Sequence, residues 1–516
     1  MVRLLGTSGL ARARRRAIWW AMEHRWKSWA FGVFAVLALV VGVVLLERPR
    51  AGLEITHDRV GTTPVTVTRS AEAGPVAVIV HGFAGSRQMM AAWSESFARA
   101  GYIAVALDLE GHGRNPVPMS GDVTSIDGTT RILLEEIARV TDWAVARPGA
   151  EPQVVMVGHS MSSDLVVRAG IADARVVSVI GISVFSQAVT EDAPENLLIL
   201  NGAWEGALRA EARRVMGDLD AVEGETVGQP GNGFARRAVA VPFAEHVAIL
   251  WAPEGLREAV DWANASLGRS GEAEVARLGL GIILMLAGAV MLARPLAGLL
   301  PEGAAPEAVP RRVFWVLALV PAVIAPLVAV QIEVGVLPVL VADYLAVHLG
   351  LYGLFVLGGA WIAGWRPELR GWLWGVLLAG FGIGVFGLLM DRYVASFVPH
   401  AGRVPIILAI VPGAVLAMWG DAVLTRGTAA VLWQRIVVRG AFLGSLAMAV
   451  ALDFERLFFL VLIFPVIVLF YATFGMMGRW VGRRTGSVLA VGIGLGLLLG
   501  WALGVSFPMY VERLGA

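Results

Sequence analysis

Apolar and polar positions divide the chain into three regimes. Residues 28–46 form an unbroken apolar run, close to the length that crosses a bilayer. From Ala51 to about Gly268, charges are spread throughout and apolar runs shrink to strand size between turn residues. Beyond Glu272 the chain is apolar again, with eight further candidate spans near 276–297, 313–332, 343–364, 371–390, 404–424, 438–453, 457–477 and 487–508. The middle regime predicts alternating strands and helices, the pattern of an α/β sheet. Strands are expected over 65–68, 76–80, 102–107, 154–157, 176–182, 197–200 and 238–241. A helix is expected over 129–146, where Ile132, Leu133, Ile137, Val140 and Trp143 share one face. The expected units are 1–50, a basic segment with the first span; 51–268, the α/β domain; and 269–516, a membrane domain of about eight helices.

Charge placement orients these spans. Arg3, Arg12, Arg14, Arg15, Arg16, Arg25 and Lys27 precede the first span, and the excess of positive charge marks cytoplasmic segments. The exit Leu46-Glu47-Arg48-Pro49-Arg50 offers no small-residue cleavage site, so the span is expected to be retained. Farther on, Arg294, Arg311 and Arg312, then Arg366 and Arg370, then Arg426, Arg435 and Arg439, then Arg479, Arg483 and Arg484 fall in alternate loops. This predicts nine helices in a plasma or inner membrane, with the α/β domain on the periplasmic or extracellular side. Composition agrees: 16% of residues are charged and mean hydropathy is +0.69, against about 25% charged in soluble proteins. The 42 basic and 41 acidic residues nearly cancel, which excludes the concentrated basic face of a nucleic-acid partner. No cysteine is present, which removes disulfides and thiol catalysis.

The chemistry concentrates in the α/β regime. An apolar strand runs into Gly158-His159-Ser160-Met161-Ser162, and a helical pattern follows at once. A nucleophile elbow needs this arrangement, because its turn admits only small residues two before and two after the serine. The usual pattern ends in Gly, and here Ser162 takes that place. Of eight histidines, His246 is the one that follows Ser160 within the domain. It sits just past the last expected strand, where a general base could reach the serine. His81 and His159 flank the site and are expected to pack or orient. Twelve Asp or Glu residues lie between Ser160 and His246. Glu205, a few residues beyond the 197–200 strand, is the favoured acid, with Glu195 and Asp192 as alternatives.

At this point the domain resembles the α/β-hydrolase family. His81-Gly82-Phe83 looks like the family's oxyanion loop, and 108–115 is similar to its D-x-x-G-H-G-x-S stretch. The stretch from Leu198 to Glu205 resembles the strand and loop that carry the family's acid. The resemblance covers about 75–267 in family order, and it implies that the backbone N–H groups of Phe83 and Met161 stabilise an oxyanion.

The expected function is a membrane-anchored serine hydrolase that cleaves an ester, or transfers its acyl group, through Ser160, His246 and Glu205. The alternative is a transporter or membrane-assembly protein whose hydrolase-like domain is a binding module. Expected partners are the lipid bilayer and a small-molecule or lipid ester. No cofactor is called for, and no H-x-x-x-H or D-x-D spacing suggests a metal. Only about a dozen residues separate Val184 from Leu197, too few for a helical cap. The membrane surface, or loops near 391–403 and 452–456, is therefore expected to roof Ser160.

Overall fold

The computed structural model describes residues 29–122, 126–271, 274–366 and 368–511; the basic lead and Glu272 lie outside them. Nine strands, β1 Glu54–Val60, β2 Thr63–Arg69, β3 Gly74–Val80, β4 Ile103–Leu107, β5 Ala150–His159, β6 Val176–Ile182, β7 Asn196–Gly202, β8 Thr226–Gly228 and β9 Ala235–Val241, form one sheet. Its order is β1-β2-β4-β3-β5-β6-β7-β9-β8. The centre, from β4 to β9, is parallel, whereas β1, β2 and β8 pair antiparallel at the edges. Central strands such as β3 and β7 are buried along their whole length, as a sheet covered on both faces requires.

The sheet contains all seven expected strands and two that the apolar pattern does not reveal. β1 reads Glu-Ile-Thr-His-Asp-Arg-Val and is largely exposed, so it carries no apolar alternation. It is held by backbone pairing to β2, closed by a two-residue turn in which Gly61 adopts φ +62°. β8 is a three-residue edge strand, too short to show a period.

Among the described residues, nine helices are long and apolar enough to cross a membrane. In chain order with the α/β domain's helices, these are α1 Trp29–Arg50; then α2 Ala91–Arg99, α3 Arg131–Val145, α4 Met161–Ala172, α5 Gly206–Gly217 and α6 Pro253–Ser266 around the sheet; then α7 Gly279–Ala297, α8 Arg311–Ala329, α9 Ala342–Ile362, α10 Trp372–Tyr393, α11 Ala401–Leu424, α12 Leu432–Leu452, α13 Phe454–Thr485 and α14 Val488–Ser506. Small residues let several of them approach closely. A Cβ on Gly492 would lie 2.6 Å from the Trp419 Cα, so glycine brings α14 onto α11.

One expectation about the helices needs correction. The span near 438–453 begins earlier, at Leu432, which puts Arg435 and Arg439 inside α12 and not in a loop. Arg439 is tolerated there because it turns inward to Asp421 of α11 at 3.4 Å, each charge offsetting the cost of burying the other. His348, inside the expected span 343–364, is wholly buried within α9, where Tyr344 and Ser445 occupy its two ring nitrogens at 2.9 and 3.1 Å.

Successive helices alternate in direction. At one end the α/β domain meets Asp391 of α10 and Arg403 of α11. At the other, Arg484 binds Glu302, Arg426 donates to the Pro306 carbonyl, and Ser487 donates to the Arg370 carbonyl.

Candidate active site

β5 ends at His159, and α4 begins at Met161. Ser160 between them is forced to φ +54° and ψ −117°, a strained conformation that lifts its side chain out of the sheet edge. The turn is tight: a Cβ on Gly158 would collide with the Ser162 carbonyl oxygen. Position 162 itself has room for a hydroxyl. Ser162 is completely buried and donates to the His81 carbonyl, tying the loop after β3 to the elbow. The departure from the usual glycine thus supplies a hydrogen bond that glycine could not make.

The structure brings Ser160, His246 and Glu205 into one hydrogen-bonded line. His246 Nε2 lies 2.9 Å from Ser160 Oγ, and its Nδ1 lies 2.6 Å from Glu205 Oε1. Glu205 follows β7 and His246 follows β9, so all three groups come from carboxyl ends of parallel strands. The other carboxylate oxygen of Glu205 accepts from Ser183 Oγ at 2.9 Å and from the Gly202 N–H at 2.5 Å. Burial pushes the Glu205 carboxyl upward, but the bonds from His246, Gly202 and Ser183 outweigh it and hold the group below its ordinary value. Glu195 lies at the opposite end of β7, where its carbonyl accepts from Ala235. The sequence did not single out Ser183, whose φ of +54° aims it at Glu205.

The flanking histidines are buried and held by bonds to the backbone. His159 Nε2 donates to the His246 carbonyl at 2.9 Å, and burial lowers its pKa to about 4. His81 donates from Nδ1 to the Gly82 carbonyl and accepts the Leu109 N–H at Nε2. Burial likewise holds His81 below its ordinary value.

The loop 81–86 runs beside Ser160. A Cβ on Gly82 would meet Ser160 Cβ at 2.9 Å and His159 Nδ1 at 2.8 Å, so only glycine permits this approach. Phe83 follows directly, and Met161 opens α4, where an N–H has no partner within the helix. Both residues therefore sit where backbone donors can face an atom bonded to Ser160. The cavity over Ser160 is about 520 Å³ and includes Met161, Asp164, Arg168, Phe185, Leu208 and His246 in its wall. No residue of 391–403 or 452–456 is in that wall, so those loops take no part in the expected roof. Those helix ends are drawn instead to the neighbouring loops, where Arg114 pairs with Asp391.

Residues 71–209 match the family model of the S33 serine aminopeptidases. No curated protein matches the chain. Similar solved structures include an epoxide hydrolase from Vigna radiata, 22% identical over 26% of this chain and 41% of that one, TM-score 0.22. A candidate dienelactone hydrolase from Klebsiella pneumoniae is 13% identical over 42% of this chain and 99% of its own, TM-score 0.32. The chain spans about two fifths of the length of the epoxide hydrolases it matches. With its sheet order and the matched segment, the chain carries a hydrolase domain of the α/β family, joined to an all-helical region.

Proposed function

We propose that the protein is a membrane-anchored serine hydrolase acting on esters, with Ser160 as nucleophile, His246 as general base and Glu205 as the acid that orients it. The observation that carries this reading is the unbroken line Glu205–His246–Ser160 at 2.6 and 2.9 Å, with Ser160 on a strained elbow. Ser160 Oγ attacks the acyl carbon while its proton passes to His246 Nε2. The resulting imidazolium is stabilised by Glu205, and the N–H groups of Phe83 and Met161 receive the developing oxyanion. Collapse breaks the acyl–oxygen bond, and the proton on His246 moves to the departing alkoxide, giving an alcohol and acyl-Ser160. Water, deprotonated by His246, repeats the sequence and releases a carboxylic acid. An alcohol in place of water would give acyl transfer.

The matched family's name points to peptide amines, whose ammonium would call for a carboxylate partner. Asp164 in the cavity wall already has its charge met by Arg168 at 2.7 Å and a bond from Ser186 at 2.6 Å, which weakens it in that role and supports the ester reading. The alternation of arginines supports the α/β domain's placement on the non-cytoplasmic side. The test is labelling of the purified full chain with a fluorophosphonate. We expect labelling and short-ester hydrolysis, both abolished by Ser160→Ala with the fold intact. Wild-type activity in the Ser160→Ala protein would overturn the nucleophile, and an unlabelled wild type would favour the binding-module alternative.

A further inference from the structure

We propose that the unattached half of the sheet's carboxyl edge rests on the bilayer surface and that Ser160 draws a long-chain acyl ester directly from it. The proposal rests on the ester-hydrolase reading and adds the substrate class and its route.

The orientation follows from where the α/β domain meets the helix ends. The Ser86 hydroxyl accepts the Ser396 N–H at 3.0 Å, and Phe83 packs on Phe459 of α13 with ring centroids 5.3 Å apart. Arg114 pairs with Asp391, and the buried Arg403 donates to the Gly111 carbonyl at 3.1 Å. All four domain residues lie on loops leaving the carboxyl ends of β3 and β4. Ser160, Glu205 and His246 leave the carboxyl ends of β5, β7 and β9 in the same sheet. Helix α2 lies along the same junction, with Glu95 paired to Arg50 of α1 at 3.0 Å and the Ser96 hydroxyl accepting the Ala276 N–H at 3.0 Å ahead of α7, so the domain leans on this flank as well and the mouth over Ser160 opens beside the helix ends. Trp251, just beyond His246, touches Gly279 where α7 begins, so the base's own loop also reaches them.

The loops on this open half are apolar at their tips. Phe185 after β6 is 57% exposed, Trp204 after β7 is 68% exposed, and Phe243 after β9 is 85% exposed. A cluster of large apolar side chains around a cleft marks a contact surface. Phe243 is the most telling. Its φ is +56°, a left-handed conformation that glycine or asparagine adopts with little strain and a phenylalanine does not. The strain brings the ring no burial within the chain. An apolar medium outside it supplies the compensation, and the continuation of the plane occupied by the helices places the bilayer there.

The cavity suits such a substrate. Met161, Phe185 and Leu208 contribute apolar lining, and Arg168 and Gln187 polar lining. Each methylene of an acyl chain buried against apolar lining strengthens binding about fourfold.

The test uses the full chain in phosphatidylcholine nanodiscs, assayed with 4-nitrophenyl acetate in the water and with a palmitoyl ester dissolved in the bilayer. Phe243→Asn keeps the backbone conformation and removes the ring. It should raise the KM for the palmitoyl ester at least about tenfold and leave acetate hydrolysis unchanged, with Phe243→Leu restoring most of the loss. Because the chain has no cysteine, Phe243→Cys accepts a single environment-sensitive fluorophore, which should be blue-shifted and shielded from iodide. A fluorophore fully open to iodide, or equal effects of Phe243→Asn on both esters, would overturn the proposal while short-ester activity leaves the hydrolase reading standing. A wild type inactive on both esters and unlabelled by fluorophosphonate would instead sink the hydrolase reading itself.

Discussion

Replacing Glu205 by Gln isolates what the acid contributes, because the change keeps the side chain's size and removes its charge. In the wild type, Glu205 Oε1 accepts from His246 Nδ1–H at 2.6 Å, which leaves Nε2 unprotonated and facing Ser160 Oγ at 2.9 Å. The partners of Oε2, the Ser183 hydroxyl and Gly202 N–H, are both donors. The glutamine carbonyl will keep those two, so its NH₂ must turn toward His246 and offer a donor where an acceptor stood. The imidazole then shifts its proton to Nε2, the tautomer that cannot deprotonate Ser160. The expected loss in kcat is about 10⁴-fold, equivalent to about 5.4 kcal/mol of transition-state stabilisation, with KM little changed. The assay is steady-state hydrolysis of a short soluble ester by the full chain, with the fluorophosphonate labelling rate measured in parallel. Stability supplies a second readout. A carboxyl held below its ordinary value stabilises the fold above its unfolded-state pKa, and that contribution fades as pH falls through the folded-state value. The stability gap between wild type and Glu205→Gln should therefore be present at neutral pH and close in acid. Activity of Glu205→Gln within tenfold of wild type would refute the reasoning and return the role to another carboxylate.

Ser162→Ala should lower stability by about 1–2 kcal/mol, because it leaves the buried His81 carbonyl without its donor. It should also slow ester hydrolysis by loosening the loop 81–86 against the elbow; denaturant melts and unchanged kinetics would together refute this coupling. For topology, a tag after Ser70 should be reachable only from the non-cytoplasmic side and one between Pro301 and Pro310 only from the cytoplasm, as accessibility labelling in intact cells will show. Both tags on one face would break the nine-helix arrangement.

The parallel core of the sheet was legible because buried parallel strands are continuous apolar runs, and 176–182 has the same bounds in sequence and structure. β1 was not, since backbone pairing holds it and its side chains face water. Within the site, the elbow announces itself through a local constraint on residue size. The acid is harder to read, because its role depends on a loop returning to the sheet edge across many intervening residues. The structure separates Glu205 from Glu195 by placing them beyond opposite ends of the same strand. Arg435 and Arg439 were misplaced for a related reason: a hydropathy run ends at a charge, yet the chain continues its helix when Asp421 awaits on a neighbour.

Ser162, His159 and His81 show how one departure from a motif can be absorbed by its surroundings. A glycine at 162 would leave the elbow held to the loop 81–86 only by packing. The serine hydroxyl binds that loop, while His159, next to the nucleophile, binds the carbonyl of His246. Two side chains near Ser160 thus anchor the loop 81–86 on one side and His246 on the other. Ser162, His81 and His159 are buried, where an unmet donor or acceptor is costly, so the positions of the loop and of His246 are coupled to the elbow's backbone. The same loop 81–86 is joined to α13 by Phe83 and to the chain after α10 by Ser86. Displacement of those helix ends would therefore reach Gly82 and Phe83, beside Ser160, through one short segment.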